Sequence, residues 1–347
     1  MKVLVFGSLN IDMVFSVDHI VAPGETISSA SLARSAGGKG ANQAAALAKA
    51  GMPVYMAGKI GKDGLFLTEL LRSYGVNTDH VKVYGGATGQ AIIQVDRKGQ
   101  NSIVLFSGGN HAIEEGEIGP VLDAFGRGDM VLLQNEIVHT GKIMEAAKKR
   151  GLRICLNPSP YDEKIEGLPL DMADIFFVNE LEGSALAGMA EESPPEAILD
   201  ALVARFPLAE IVLTLGKQGA RYGRAAVRAG GKIINLPVAD TTGAGDTFTG
   251  YFIATRARGA GVSEALATAC KASSIAVSRK GAMESIPLAA EVFQGSDAAA
   301  LTAGSGGIAG FGANADANAD PGPAIGSAAG TGAGTKAGAA ANSGAAP

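Results

Sequence analysis

Two aspartates bracket a run of small residues in Asp240-Thr241-Thr242-Gly243-Ala244-Gly245-Asp246, and a helical pattern extends from there to about Arg258. Small residues let the backbone turn tightly into the helix. Its first-turn N–H groups have no intrahelical acceptor, and with the macrodipole they make a site for a phosphate in transit. Asp246 stands in that first turn, where its carboxylate can take the proton of an attacking hydroxyl beside donors that hold the developing charge. The dipole alone also favours an acid there, so the segment by itself permits a purely structural aspartate.

Gly37-Gly38-Lys39-Gly40-Ala41-Asn42 is a second glycine-rich turn that opens a helix. It is not a P-loop, since no glycine stands five residues before Gly38 and no Ser or Thr follows Lys39. Close backbone approach to a small ligand is one reading, with Lys39 and Asn42 as donors to its hydroxyls; a flexible turn is the other. His19, His80, His111 and His139 are dispersed without metal-ligand spacing.

These segments need elements to position them. Lys2–Phe6, Val54–Ala57, Met130–Leu133, Arg153–Leu156, Ile175–Val178 and Ile211–Leu215 are short, continuous apolar runs, the pattern of strands covered on both faces. Helical stretches such as Ala41–Ala50 and Gly141–Arg150 alternate with them, which predicts a mostly parallel sheet between two helical layers. Ligands bind such sheets beyond the carboxyl ends of the strands. There the chain places Asn10 and Asp12, then Gln134, Asn135 and Glu136, then Asn157, then Asn179, Glu180 and Glu182, then Gly216 and Gly219. Two segments break the alternation. Residues 12–36 read as extended chain around Pro23-Gly24-Glu25, and 88–107 hold a hairpin about Asp96-Arg97-Lys98-Gly99. Neither has a helix between its strands, so a small separate sheet is expected beside the main one.

The chain has 347 residues, enough for a sizeable core, and a net charge of −5, which points away from nucleic acid and anionic membranes as partners. Cys155 and Cys270 sit in apolar stretches without a CxxC partner, as in a reducing cytoplasm, and no apolar run is long enough to span a membrane. Residues 296–347 are nearly all small or polar and lack the apolar surface to offset ordering entropy; the sequence predicts a folded body over 1–295 and a disordered Ala/Gly-rich tail.

In order and spacing, the front turn, the back turn and Asn179-Glu180-Leu181-Glu182 between them resemble the ribokinase branch of the PfkB carbohydrate kinases over roughly residues 1–293. The resemblance implies a ribokinase-like α/β/α fold, a mostly parallel three-layer sheet with a small β-sheet lid often used for homodimerisation. It implies an ATP-dependent kinase acting on the 5-hydroxyl of ribose, or else on deoxyribose, a nucleoside or another small sugar. A catalytically silent sugar sensor on the same fold would be expected to have lost the base or the anion hole, and both are intact. Asp246 is then the base, with the backbone of Gly243, Ala244 and Gly245 as the anion hole. Asn10, Asp12, Gly38, Lys39, Asn42 and Glu136 match sugar-holding positions. Asn179 and the Thr214-to-Gly219 turn, with Gly216 and Gly245, match nucleotide positions. Glu182 belongs to a motif that tunes Mg²⁺ and phosphate binding indirectly. Asp240, Thr242, Ala276, Arg279, Gly281 and Ser285 match a loop that holds a monovalent cation, K⁺; Arg279 or Lys280 pairing with Asp240 is the competing expectation. Phe66 and Gly109 depart from the family pattern, and Cys270 falls near the adenine edge, where residue type varies.

Overall fold

The computed structural model describes residues 1–293; the segment expected to form a disordered tail, 296–347, lies outside the described residues. The chain runs β1 (Val3–Phe6), β2 (Asn10–Ser16), β3 (Ser31–Gly37), α1 (Lys39–Lys49), β4 (Val54–Ile60), α2 (Leu65–Ser73), β5 (Asn77–Val83), β6 (Gly89–Val95) and β7 (Asn101–Phe106). There follow α3 (Glu115–Leu122), β8 (Met130–Gln134), α4 (Thr140–Lys149), β9 (Arg153–Asn157), β10 (Ile175–Asn179), α5 (Glu180–Ala187), α6 (Pro195–Arg205) and β11 (Glu210–Thr214). The last elements are β12 (Ala220–Arg224), β13 (Val227–Gly231), α7 (Ala244–Ala257), α8 (Val262–Val277) and α9 (Ala289–Val292).

Among the described residues, nine strands form one sheet in the order β13-β12-β11-β10-β9-β8-β1-β4-β5. It is parallel from β11 to β5, with β12 and β13 antiparallel at one edge. The central strands carry apolar runs because both faces are covered. Val3 and Val5 belong to one buried cluster with Ala44, Leu47, Tyr251 and Leu266 of α1, α7 and α8, whereas Leu4 and Phe6 belong to a second with Ile143, Leu199 and Leu202 of α4 and α6 on the other face. Each such side chain contributes about 1.5–3 kcal/mol on burial. Four further strands make the small sheet, in the order β3-β2-β6-β7, with β2 and β6 parallel.

One contact in this core positions the site. A Cβ on Gly250 of α7 would lie 2.5 Å from the Cβ of Ala46 on α1, so the two helices touch where any side chain at 250 would part them. One turn earlier on each helix stand Asp246 and the pair Asn42 and Gln43. Three strands of the large sheet lie outside the apolar runs read from sequence: β5 and β13 at its two edges, and β12 between β11 and β13. The expected cation loop beginning at Ala276 also needs correction at its start, since Ala276 and Val277 are the last residues of α8.

Candidate active site

The sequence brings a left-handed Gly243 (φ 72°) immediately before α7, and the first helical hydrogen bond runs from Thr247 N–H to the Gly243 carbonyl. Of the three N–H groups expected to form an anion hole, that of Ala244 donates to the Thr241 carbonyl at 3.3 Å, while those of Gly243 and Gly245 have no acceptor among the described residues. Asp246, in the same first turn, is 7% exposed. Asn42 Nδ2 donates to its Oδ2 at 3.0 Å and Gln43 Nε2 to its Oδ1 at 2.9 Å. A cavity of about 350 Å³ opens over this helix start, lined by Lys39, Asn179, Glu182, Thr214, Gly216 and Asp246 among others.

Beside it, a smaller cavity of about 100 Å³ is lined by Asn10, Asn110, His111, Asn135 and Glu136 and by Leu105 and Phe106 of the small sheet. Asn110 braces its wall: its Oδ1 accepts from Leu9 N–H at 3.0 Å and its Nδ2 donates to Asn10 Oδ1 at 2.7 Å. Glu136 accepts from the Ser8 hydroxyl and from Lys39 N–H, which ties the end of β8 to the start of α1. Burial, with the charges of Glu136 and Glu284, pushes the Asp12 carboxyl up to about 7. Burial opposes the Lys39 charge, but the carboxylates of Asp246, Glu136 and Glu182 more than compensate and hold its pKa above the ordinary value. The Oδ1 of Asn42 is buried without a partner, an acceptor set in a site full of donors and carboxylates.

On the far side, Asn179 caps α5: Glu182 N–H donates to Asn179 Oδ1 at 2.8 Å and Asn179 N–H to Glu182 Oε2 at 3.1 Å. A contiguous cavity of about 110 Å³ lies between Thr214, Gly216, Gly219, Ile233, Phe248 and Cys270, and the Cys270 thiol is pushed up to about 11 by burial. Among the described residues no group of three or more His, Cys, Asp or Glu could hold a metal by itself.

Asp240 is the knot between the anion-hole turn and the loop after α8. Its Oδ1 accepts from Thr242 N–H at 2.9 Å and from the Thr242 hydroxyl at 2.7 Å, and its Oδ2 from Gly281 N–H at 3.0 Å. Partial burial opposes its charge, but these donors and the Lys280 charge keep its carboxyl below the ordinary carboxylate range. Arg279 pairs with Glu291 rather than with Asp240. The Ala276 carbonyl accepts from Arg279 N–H and the Ser285 hydroxyl donates to the Ala282 carbonyl.

Of the residues expected from sequence, Lys39, Asn179, Glu182, Thr214, Gly216, Gly243, Ala244, Gly245 and Asp246 line the 350 Å³ cavity, Asn10 and Glu136 the 100 Å³ cavity, and Gly219 the 110 Å³ cavity. Asp12, Gly38 and Asn42 line none of the three: Asp12 lies on β2, Gly38 precedes α1, and Asn42 reaches the site through its hydrogen bond to Asp246. The structure adds Ser8, Gln43 and Asn110, which the sequence reading did not assign, and gives Gln134, which the sequence placed at the ligand-binding edge of the sheet, a partner in Gln43. Gln43 follows Asn42 directly and Asn110 follows the departure at Gly109, so adjacency to a motif was the only signal. That departure has a local cause: a Cβ at 109 would lie 2.1 Å from the Lys59 carbonyl oxygen. At the other departure, the Arg34 guanidinium stacks 4.5 Å from the Phe66 ring.

Comparison with known proteins agrees with this geometry. The chain is 34% identical over 299 residues to ribokinase of Haemophilus influenzae, covering 84% of this chain and 96% of that one. It is 30% identical over 295 residues to deoxyribokinase of Salmonella typhi, covering 83% and 96%. Among solved structures it is similar to Arabidopsis thaliana ribokinase complexed with ribose and ATP, with a TM-score of 0.76 and 35% identity, covering 84% of this chain and 97% of that chain. Residues 1–289 match the pfkB carbohydrate kinases, and the chain belongs to that family.

Proposed function

We propose that this chain transfers the γ-phosphate of ATP to the 5-hydroxyl of ribose. The observation that supports this most is the convergence at Asp246: a buried carboxylate in the first turn of α7, held by two amides, at the junction of a large polar cavity and the wall that carries Asn42. A sugar hydroxyl placed there gives its proton to Asp246 as its oxygen attacks the γ-phosphorus and ADP leaves; the free N–H groups of Gly243 and Gly245 and the Lys39 ammonium face the charge that develops on the phosphoryl oxygens. The smaller cavity, with Asn10 and Glu136, the Asp12 carboxyl close enough to feel the Glu136 charge, and the orphaned Oδ1 of Asn42 suit the remaining hydroxyls. Asn179, Thr214, Gly216 and Gly219 form the nucleotide side. Asn10 favours ribose over 2-deoxyribose, because its amide can bond a hydroxyl that the latter lacks.

Mg²⁺ would neutralise the phosphate charge. Glu182 suits a hydrated ion, since Oε2 already takes the Asn179 N–H while Oε1 is left for metal-bound water. For K⁺, the side chains of Arg279 and Ser285 are engaged elsewhere, which leaves the backbone oxygens of 276–285 and Asp240 as a donor set fit for a hard cation. Fixing Asp240 there would stiffen Thr242 and with it the anion hole. Activity should rise several-fold when K⁺ replaces Li⁺ or tetramethylammonium at constant ionic strength, and Asp240→Ala should abolish the response; equal rates in all three salts would make the loop merely structural.

The sugar side is tested by pH. Ionised Asp12 accepts from sugar hydroxyls and protonated Asp12 does not. With its carboxyl near 7, KM for ribose should fall about tenfold between about pH 6 and pH 8, and Asp12→Asn should flatten the profile. A wild-type KM independent of pH would remove Asp12 from the sugar.

Leu32, Ile103, Val104, Leu105 and Phe106 of the small sheet are each more than half exposed, apolar surface on both faces of the edge strands β3 and β7 that suits pairing with a second copy of the chain and so a lid-mediated homodimer. The two buried, unpaired thiols fit a reducing cytoplasm. Among the described residues no helix is long and apolar enough to cross a membrane.

A further inference from the structure

We propose that Gln43 is the positioning residue for the base, the centre of a one-directional amide relay that holds the Asp246 carboxylate in a single orientation; this rests on the reading of Asp246 as general base. The relay is anchored at a group that can only accept. The Phe177 carbonyl takes Asn157 Nδ2 at 2.9 Å, which turns Asn157 Oδ1 toward Gln43 Nε2 at 3.0 Å. The second hydrogen of the same nitrogen goes to Asp246 Oδ1 at 2.9 Å. Gln43 Oε1 then accepts from Gln134 Nε2 at 2.6 Å. A flipped Gln43 amide would set its oxygen against two acceptors and its NH₂ against another NH₂, so one orientation survives. Gln43 is 0% and Gln134 1% exposed, and water offers no substitute partner.

Asn42 and Gln43, consecutive on α1, therefore grip the two carboxylate oxygens separately and fix the rotation of the carboxylate. Their consequences differ. Neither lines the nucleotide cavity or the sugar cavity, but Asn42 keeps an unpartnered Oδ1 to offer a sugar hydroxyl, whereas every polar atom of Gln43 is engaged within the protein, so loss of Gln43 should spare binding and strike the chemical step. A misplacement on the order of 1 Å can cost about 10²-fold in rate. The charged neighbour of Asp246 on α1 is Lys39, itself faced by Glu136 from the end of β8 and Glu182 from α5, and none of these changes when Gln43 is replaced.

The test compares Gln43→Met, of similar shape but without the amide, and Gln43→Glu, which keeps size and the acceptor for Gln134. kcat is followed against pH at saturating ribose, so that Asp12 titration drops out. Gln43→Met should lower kcat about 10- to 100-fold, with KM for ribose and ATP within about threefold. Loss of a donor to the charged form should move the acid limb upward, and Gln43→Glu, with a second carboxylate at the base, should move it further. If Gln43→Met does not fold, the limb of Gln43→Glu carries the test. An acid limb unmoved in both variants, or kcat and KM worsening together in step with lost thermal stability, would overturn the proposal. Asp246→Asn run alongside separates the two claims: normal turnover there removes the base itself, whereas an inactive Asp246→Asn with unmoved Gln43 limbs removes only the relay.

Discussion

Asp246→Asn should lose about 10²–10⁴-fold or more in kcat, the span a general base supplies, with KM for ribose changed only a few-fold. Size is preserved and the side chain remains in the first turn of α7, so the helix and the anion hole persist. Basicity is removed. One of the two carboxylate oxygens becomes an NH₂ that meets a donor, Asn42 Nδ2 or Gln43 Nε2, so some stability is lost as well. A thermal melt separates that loss from chemistry: the variant should remain folded at assay temperature and bind both substrates. Near-normal kcat would mean that the hydroxyl proton leaves by another route.

Gly245→Pro should cost about 10²–10³-fold in kcat, the magnitude of removing one donor from an anion hole, with the fold intact. Proline removes the Gly245 N–H, which has no acceptor within the described residues and therefore no structural duty. First-turn positions of a helix tolerate proline because their N–H groups are unpaired in any case. A Cβ at 245 meets nothing within 4 Å, so the ring has room in the unliganded chain. Gly245→Ala is the matched control, since it adds bulk at the same cavity wall but keeps the N–H. Loss in the proline variant well beyond that in the alanine variant assigns the effect to the donor. Equal losses would assign it to crowding of the nucleotide.

The elements that could be read from the sequence are those whose environment imprints a simple pattern. β1, β8, β10 and β11 lie under helices on both faces and carry continuous apolar runs, with polar residues only at strand ends, so their runs mark them within a residue or two. β5 and β13 are edge strands and β12 is the antiparallel strand beside β13; their residue types are mixed, and Gly-rich β13 (Val-Arg-Ala-Gly-Gly) carries no strand pattern at all. The end of α8 was taken for loop because Ala276 and Val277 run straight into the basic, glycine-bearing segment, with no capping residue to mark the boundary. The same contrast holds in the site. Asp246 and Asn42 follow turns whose small residues advertise them, and Asn179 and Gln134 mark themselves as polar residues ending apolar runs. Gln43 and Asn110 act through side chains that meet their partners only in three dimensions, and the bond that joins Gln134 to Gln43, more than 90 residues away, leaves no local trace. Gly250, which sets how closely α1 and α7 approach, reads in sequence as one glycine among 49.

The central claim is phosphoryl transfer from ATP to the 5-hydroxyl of a sugar whose other hydroxyls are counted by buried polar groups. It is tested most directly by ³¹P NMR of the reaction mixture with ribose or 2-deoxyribose as acceptor, alongside kcat/KM from ADP release. The account predicts a phosphomonoester on the 5-oxygen of ribose and a kcat/KM for ribose at least about tenfold above that for 2-deoxyribose, because an unpaired Asn10 amide penalises the sugar lacking the hydroxyl. Release of inorganic phosphate alone, phosphate on another oxygen, or equal kcat/KM for the two sugars would contradict it.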